Sequence, residues 1–383
     1  MTTTNHIAQI PQDIACANDY KAYAKAKLDA PIWHYIDGGS ADELTKKNNR
    51  TSLDAIKLRS RVLCDLTGAS TQTTLLNHTL PYPFLVAPMA YQKLLDSQGE
   101  IGTVMAATAQ DIGFVLSTLA SCSIEDVAQQ YKAMQANSPA LNPTSLPLPP
   151  LWFGLYVQAD FTPTMQLINR AQQSGYQALV ISVDAPVNGL RNREQRAGFT
   201  LPEHVRAVNL SNNNQDTTDY NQYKHPVFSR LIQTAPTWDD IAQIIAHTRL
   251  PVIIKGILEP EDAIMAKNIG AQGIVVSNHG GRVLDGAQAS IEALPAIRAA
   301  VGTDFTIVLD SGINRGSDIF KAIALGANSV FIGRAVLYAL AVSGPMGVAH
   351  VLKILKDEFE LTMGLCGVKS VQEINYNHII MPR

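Results

Sequence analysis

Cysteine is scarce: four residues (Cys16, Cys64, Cys122 and Cys366) in 383, far apart and with no CxxC pair. That spacing excludes a disulfide-stapled fold and predicts reduced, mostly buried thiols; no metal site is expected. Charge is sparse at 16%, and 30 Lys plus Arg against 33 Asp plus Glu leave a net charge of −3. There is no basic excess, so nucleic acid and anionic membranes are excluded as electrostatic partners. No run approaches 18 uninterrupted apolar residues, so no bilayer-crossing helix is expected. The N-terminal MTTTNHIAQIPQD lacks the basic start and apolar run of a signal peptide, and the final HIIMPR is no peroxisomal tripeptide. These absences together predict a globular, cytoplasmic enzyme.

Hydrophobic residues make up 46% of the chain, enough for a large core. From about residue 84 onward, short apolar runs alternate with amphipathic stretches. The runs are PFLVAP (83–88), GFVLS (113–117), WFGLYV (152–157), ALVISVD (178–184), PVIIKG (251–256), GIVVSN (273–278), FTIVLD (305–310) and SVFIG (329–333). Each suits a parallel strand buried on both faces. Helical patterns such as TPTMQLINRAQQSG (162–175) and EPEDAIMAKNIG (259–270) lie between them, and Gly113, Gly175, Gly270 and Gly326 stand where left-handed helix caps are expected. Eight strand–helix units favour an α/β fold of the closed (β/α)8 TIM-barrel type over an open sheet, and no GxGxxG follows the first strand. The chain is expected to be one domain over 1–383: a helical and hairpin-like cap over 1–82 and the barrel over 83–383. The Pro-rich stretch 136–151 is expected to be a long loop. Residues 186–236, which include the polar run NLSNNNQDTTDYNQY, are expected to form a mobile loop inserted after strand four.

Barrel chemistry sits at the C-terminal strand ends. There the chain carries Pro88, Met89 and Ala90, then Ser117, Tyr156, Ser182 with Asp184, Lys255, Ser277 with His279 and Arg282, Asp310, and Gly333 with Arg334. The Gly-rich turns DSGINRG (310–316) and IGR (332–334) lead into helix starts, where backbone amides and Arg334 suit a phosphate, although such glycines can also merely turn the chain. In SNHGGRVLD (277–285), Arg282 offers a planar fork for a carboxylate and His279 a base that titrates near neutral pH. Lys255 ends an apolar strand, where a cation needs an anion unless it escapes to solvent; Asp184 is a partner for an imidazolium or part of a structural ion pair. The other eight histidines read as structural.

These segments resemble the FMN-dependent L-2-hydroxy acid oxidases and dehydrogenases, the family of glycolate oxidase, lactate oxidase, and L-lactate and mandelate dehydrogenases. The likeness rests on SNHGGR, VIIKG, GLYV, VISVDAP, LDSG, IGR and the tail DEFELTMGLCGVKSVQEI, and runs from about residue 18 to residue 378. It implies FMN as cofactor and a small 2-hydroxy carboxylate, lactate-like or mandelate-like, as substrate. His279 is implied as the base, supported by Asp184, with hydride passing to flavin N5; a carbanion route through the same histidine stays open. Arg282 is implied to clamp the carboxylate with Tyr35, Tyr156 to lie near the hydroxyl, and Arg193 to be a second substrate-side arginine. Leu119 matches a size-determining position. Pro88, Met89, Ala90, Ser117, Ser182 and Lys255 are implied around the flavin ring. Ser277, Asp310, Ser311, Gly312, Asn314, Arg315, Gly333 and Arg334 are implied along its ribityl and phosphate. The family habit implies a homotetramer.

Gly154 stands where the family usually has Gln, and Asn314 where it often has Arg, a loss worth about 2–4 kcal/mol of flavin binding if nothing replaces it. These departures keep open a second reading, a flavin-deficient barrel serving as a binding or scaffold protein. An FMN barrel acting on a prenyl diphosphate or a nucleotide is a third, disfavoured by the His/Arg pair. Oxygen, a quinone or a protein remains open as electron acceptor; with no haem-binding domain expected ahead of the barrel, internal haem is not among them.

Overall fold

The computed structural model describes residues 9–137, 149–210, 226–229, 232 and 235–382. Eight parallel strands close into a barrel: β1 (Phe84–Val86), β2 (Gly113–Ser117), β3 (Leu151–Leu155), β4 (Leu179–Ser182), β5 (Val252–Ile257), β6 (Gly273–Val276), β7 (Thr306–Leu309) and β8 (Ser329–Ile332). Each is hydrogen-bonded to its neighbour in sequence, and β8 pairs with β1 through Val330–Phe84 and Ile332–Val86. A helix follows every strand, so the expected TIM barrel is what forms.

The apolar runs have no polar face because both faces are buried. Leu85, Val115, Trp152, Val180, Ile253, Val275, Val308 and Phe331 fill the barrel interior, while their neighbours Phe84, Phe114, Phe153 and Leu179 pack outward against helices. Alternate residues thus serve two apolar layers, each fully buried side chain contributing about 1.5–3 kcal/mol. The antiparallel hairpin Thr73–Leu75 with His78–Leu80 sends Leu75 and Leu80 into the interior cluster, covering the N-terminal end of the barrel. The cap before it comprises helices Asp19–Lys27, Ala30–Asp37 and Leu44–Ala55. The C-terminal segment Ile379–Ile380 pairs with Lys57–Leu58.

The last helix, Arg334–Cys366, breaks at Ser343 and Gly344, just before Pro345. By length and composition it could cross a membrane, contrary to the expectation from uninterrupted runs, but 78% of its most apolar window is buried inside the fold. Two of the four cysteines, Cys122 and Cys366, are buried; Cys64 is exposed, and all four are free. Residues 138–148 of the Pro-rich stretch and 211–225 of the polar insertion lie outside the described residues.

Gly175, Gly270 and Gly326 take the left-handed conformation at helix ends. Gly113 does not: Asp111 carries the positive φ there, and Gly113 opens β2. Its need for glycine is steric, since a Cβ would stand 2.6 Å from Leu85 Cδ2 and 3.0 Å from the Pro150 carbonyl oxygen. Gly113→Ala is therefore expected to cost about 1–3 kcal/mol by overpacking β1 against β2. A urea midpoint equal to wild type would show that the pair relaxes freely.

Candidate active site

The C-terminal strand ends enclose a cavity of about 980 Å³. Pro88, Met89, Ala90, Ser117, Leu119, Tyr156, Ser182, Lys255, His279, Arg282, Asp310, Ser311, Gly312, Asn314, Gly333 and Arg334 all line it, with Tyr35 from the cap and Arg193 from the segment after β4. Residues from all eight strand ends meet there because parallel strands in a closed barrel end on one rim.

At its floor lies Lys255, 4% exposed. Its ammonium donates to Ser277 Oγ at 3.0 Å and stands 3.7 Å from Asp184 and 3.6 Å from Asp310. Burial opposes this charge, but the two carboxylates outweigh it and hold the lysine above its ordinary pKa. Gly256, at a register shift in β5, makes the approach possible: a Cβ there would fall 2.3 Å from Asp184 Cβ. Burial likewise works against the Asp184 carboxylate, yet Lys255 and His279 bring it down to about 2.

Asp184 Oδ1 lies 3.0 Å from His279 Nδ1, and Tyr156 Oη lies 3.2 Å from His279 Nε2. Desolvation, then the Lys255 charge, lower the His279 pKa against the pull of Asp184 and so favour the neutral ring. His279, Gly280 and Gly281 all have positive φ (58°, 64° and 72°), and for the histidine this conformation costs of order 1 kcal/mol. The turn is held by bonds from His279 N to Ser277 Oγ, from Gly280 N to Ser311 Oγ and from Gly281 N to the Asn278 carbonyl. Ser311 Oγ in turn donates to Asp310.

Arg282 donates to the Tyr35 and Gly38 carbonyls and sits 5.3 Å over the Tyr35 ring. Burial, then the neighbouring Arg191 cation, push its pKa down to about 10. Arg334 also reaches the Gly38 carbonyl, and those of Ile36 and Gly280. Burial raises Tyr35 to about 12 and raises Tyr156 as well.

Four sequence expectations need correction. Arg193 does not point its guanidinium at the reacting centre: it is bound to Glu43, Asp37 and His34 of the cap. Arg191 takes the inner position. Its charge acts on Tyr35, Tyr156 and Arg282, and its buried Nε has no partner among the described residues. Arg315 turns out to Glu358 at 3.1 Å and does not line the cavity, and the amides of Asn314, Arg315 and Gly316 are already accepted by Asp318 and Glu358. On this side it is instead the helix beginning at Arg334 that presents its N-terminal residues to the cavity. Ser277, expected along the ribityl, stands behind the wall under Lys255 and does not line the cavity, whereas Asp184 partners the His279 ring as expected. Gly154 is more than a missing side chain: a Cβ there would come 2.7 Å from Pro88 Cβ and 3.2 Å from the Leu116 carbonyl oxygen, so a glutamine would require β3 to move.

The sequence reading missed Arg191, two residues from the arginine it chose, and Phe199, which stacks on Tyr35 at 4.4 Å. Tyr91, Leu201, Lys46 and Arg50 also line the cavity. Arg191 was within reach, since it shares the stretch GLRNRE (189–194) with Arg193; Phe199 had no local signal.

A model of the FMN-dependent dehydrogenase family matches residues 24–381. An L-lactate oxidase of Roseobacter sp. (strain GAI101) is 44% identical, covering 93% of this chain and 92% of that protein. An L-lactate oxidase of Nostoc sp. (strain PCC 7120) is 42% identical over 93% of this chain and 95% of its own. The crystal structure of mandelate oxidase with (S)-2-phenylpropionate superposes with a TM-score of 0.83 at 36% identity, covering 96% of this chain and 98% of that one.

The depressed Asp184 pKa makes a stability prediction. A carboxylate held at about 2 instead of 3.8 stabilises the fold fully above about pH 4 and loses that contribution as pH falls toward 2, worth about 2 kcal/mol at neutral pH. Asp184→Asn should therefore show its largest deficit in urea unfolding near pH 7 and a smaller one near pH 3. A deficit independent of pH would mean that the charge is not what stabilises.

Proposed function

The chain belongs to the FMN-dependent dehydrogenase family, and from that premise we propose that it oxidises a small L-2-hydroxy acid, L-lactate foremost, to the 2-oxo acid, with His279 as base and oxygen as final acceptor. The observation that carries this reading is the Lys255–Asp184–His279 array facing Arg282 and Arg191 across one cavity.

The residues fit FMN. The buried Lys255 ammonium and the Ser117 and Ser182 hydroxyls offer donors to the ring. Gly333 at the other end leaves room for close approach, with Met89 Sδ at 3.9 Å the nearest atom to a Cβ there. Arg334 and the helix start there would hold the phosphate. When bound, FMN supplies the two-electron acceptor for the hydrogen on the substrate's C2.

Arg282 and Arg191 would hold the carboxylate, with Tyr35 at its side. Both guanidiniums are crowded by like charge, so an anion between them relieves repulsion. His279 Nδ1–H donates to Asp184, which leaves Nε2 unprotonated and turned toward Tyr156. There Nε2 would accept the 2-hydroxyl proton, and Asp184 would stabilise the imidazolium. Leu119, Phe199 and Leu201 line the remaining wall and suit a short apolar substituent. The two L-lactate oxidase relatives support lactate and oxygen; the mandelate oxidase neighbour makes mandelate the substrate to compare.

Anaerobic L-lactate is expected to bleach the flavin spectrum of the FMN-loaded protein faster than L-mandelate, and His279→Ala should keep FMN while slowing bleaching about 10²–10⁴-fold. Bound flavin that neither acid reduces would overturn the substrate class, and rapid reduction in His279→Ala would overturn the base. The acid limb of kcat/KM should fall below pH 6.5, as the lowered His279 pKa requires. Asp184→Asn should shift that limb further down, because the raising influence of the carboxylate is gone. A limb above 6.5 would contradict the assignment.

A further inference from the structure

We propose that Arg193 is a positioning residue, latching the segment 186–199 to the N-terminal cap so that Arg191 is held ready for the substrate carboxylate. The inference rests on the reading of Arg191 given above.

Arg193 directs all its donors away from the reacting centre. Nε and Nη2 stand 3.2 and 3.0 Å from His34 Nδ1, and Nη1 lies 2.9 and 3.0 Å from the two Glu43 oxygens and 3.1 Å from Asp37 Oδ2. The anchor itself is firm. Asp37, 3% exposed, accepts from Tyr338 Oη at 2.7 Å on the last helix and pairs with Lys21 and Lys46. Glu43 also accepts from Gly39 N at 2.7 Å.

On the other side of Arg191, Ala41 N donates to the Leu190 carbonyl at 2.6 Å. Gly189 presses so closely on the loop after β6 that a Cβ would lie 2.4 Å from the Arg282 and Val283 carbonyl oxygens. Arg191 therefore sits between two tethered points. Its own side chain is weakly held: Glu194 is 3.6 Å away, Asn188 3.5 Å, and Nε is buried without a partner among the described residues. Contacts this long do little to fix the Arg191 guanidinium, so the backbone must, and Arg193 is what fastens the backbone after it. A half-buried network of this kind is stronger than an isolated surface pair, yet still partly screened by salt.

The test uses the FMN-loaded full chain. Glu43→Gln should raise the KM for L-lactate about fivefold to tenfold while kcat stays within about twofold, the split expected when ground-state binding is lost. Arg193→Gln should raise KM by a similar factor, and the double variant no further, because both remove one interaction. Arg193→Lys should recover part of the loss. Without any substrate, hydrogen exchange of the amides in 188–199 should quicken in Glu43→Gln. Unchanged KM and unchanged exchange in Glu43→Gln, or additive effects in the double variant, would overturn the latch. If wild type oxidises no 2-hydroxy acid, the parent reading fails by itself; exchange then judges the latch alone, and unchanged rates reject it.

Discussion

An ammonium group buried at the end of β5 constrains everything around it. Lys255 cannot keep its charge there without anions, because an uncompensated buried cation costs several kcal/mol. Two carboxylates answer it from the ends of β4 and β7, and each passes the constraint on. Asp184 carries it to the His279 ring. Asp310 carries it through Ser311 Oγ to the Gly280 amide. Both routes end in the same left-handed turn, so one lysine holds the ring and the backbone of the proposed base. The strain of the left-handed His279 is tolerated because the turn is over-determined by these bonds, and glycines take the next two positive φ angles.

The same arrangement sets the chemistry. The two acidic groups offset Lys255, but across the cavity Arg282, Arg191 and Arg334 lie close together, and burial, then the Arg191 charge, lowers the Arg282 pKa. Their donors are partly occupied by the cap carbonyls of Tyr35, Ile36 and Gly38. The cap is thus part of the site: it supplies an aromatic wall, the acceptors that aim two arginines, and the acidic anchor for the segment that bears a third. Removing it would leave a closed barrel with its rim cations unaimed.

Much of this was legible in order along the chain. The strands could be found because residues buried on both faces form unbroken apolar runs, and their ends named the rim. Lys255, His279 and Arg282 stood out because ionisable groups directly after such runs are costly unless used. Gly113 was misread because a glycine required by close packing against Leu85 looks, in sequence, like one required by a left-handed cap. Arg193 was preferred to Arg191 because a segment with no periodicity gives no sense of direction; two arginines two residues apart point to different places only once the backbone is folded. Arg315 failed for a related reason, since Glu358, some forty residues away, claims its side chain.

The order of strands and helices, the barrel, the rim residues and the family were determined by the sequence by itself, because they follow from local hydrophobic pattern and from motifs read within a few residues. The tertiary structure alone decided which arginine faces the cavity, that Asp318 and Glu358 take the amides of the turn after β7, and that Pro88 leaves no space for a side chain at Gly154. Those outcomes depend on partners distant in sequence, and a side chain's direction is set by the sum of its packing and electrostatic neighbours, which no local pattern contains.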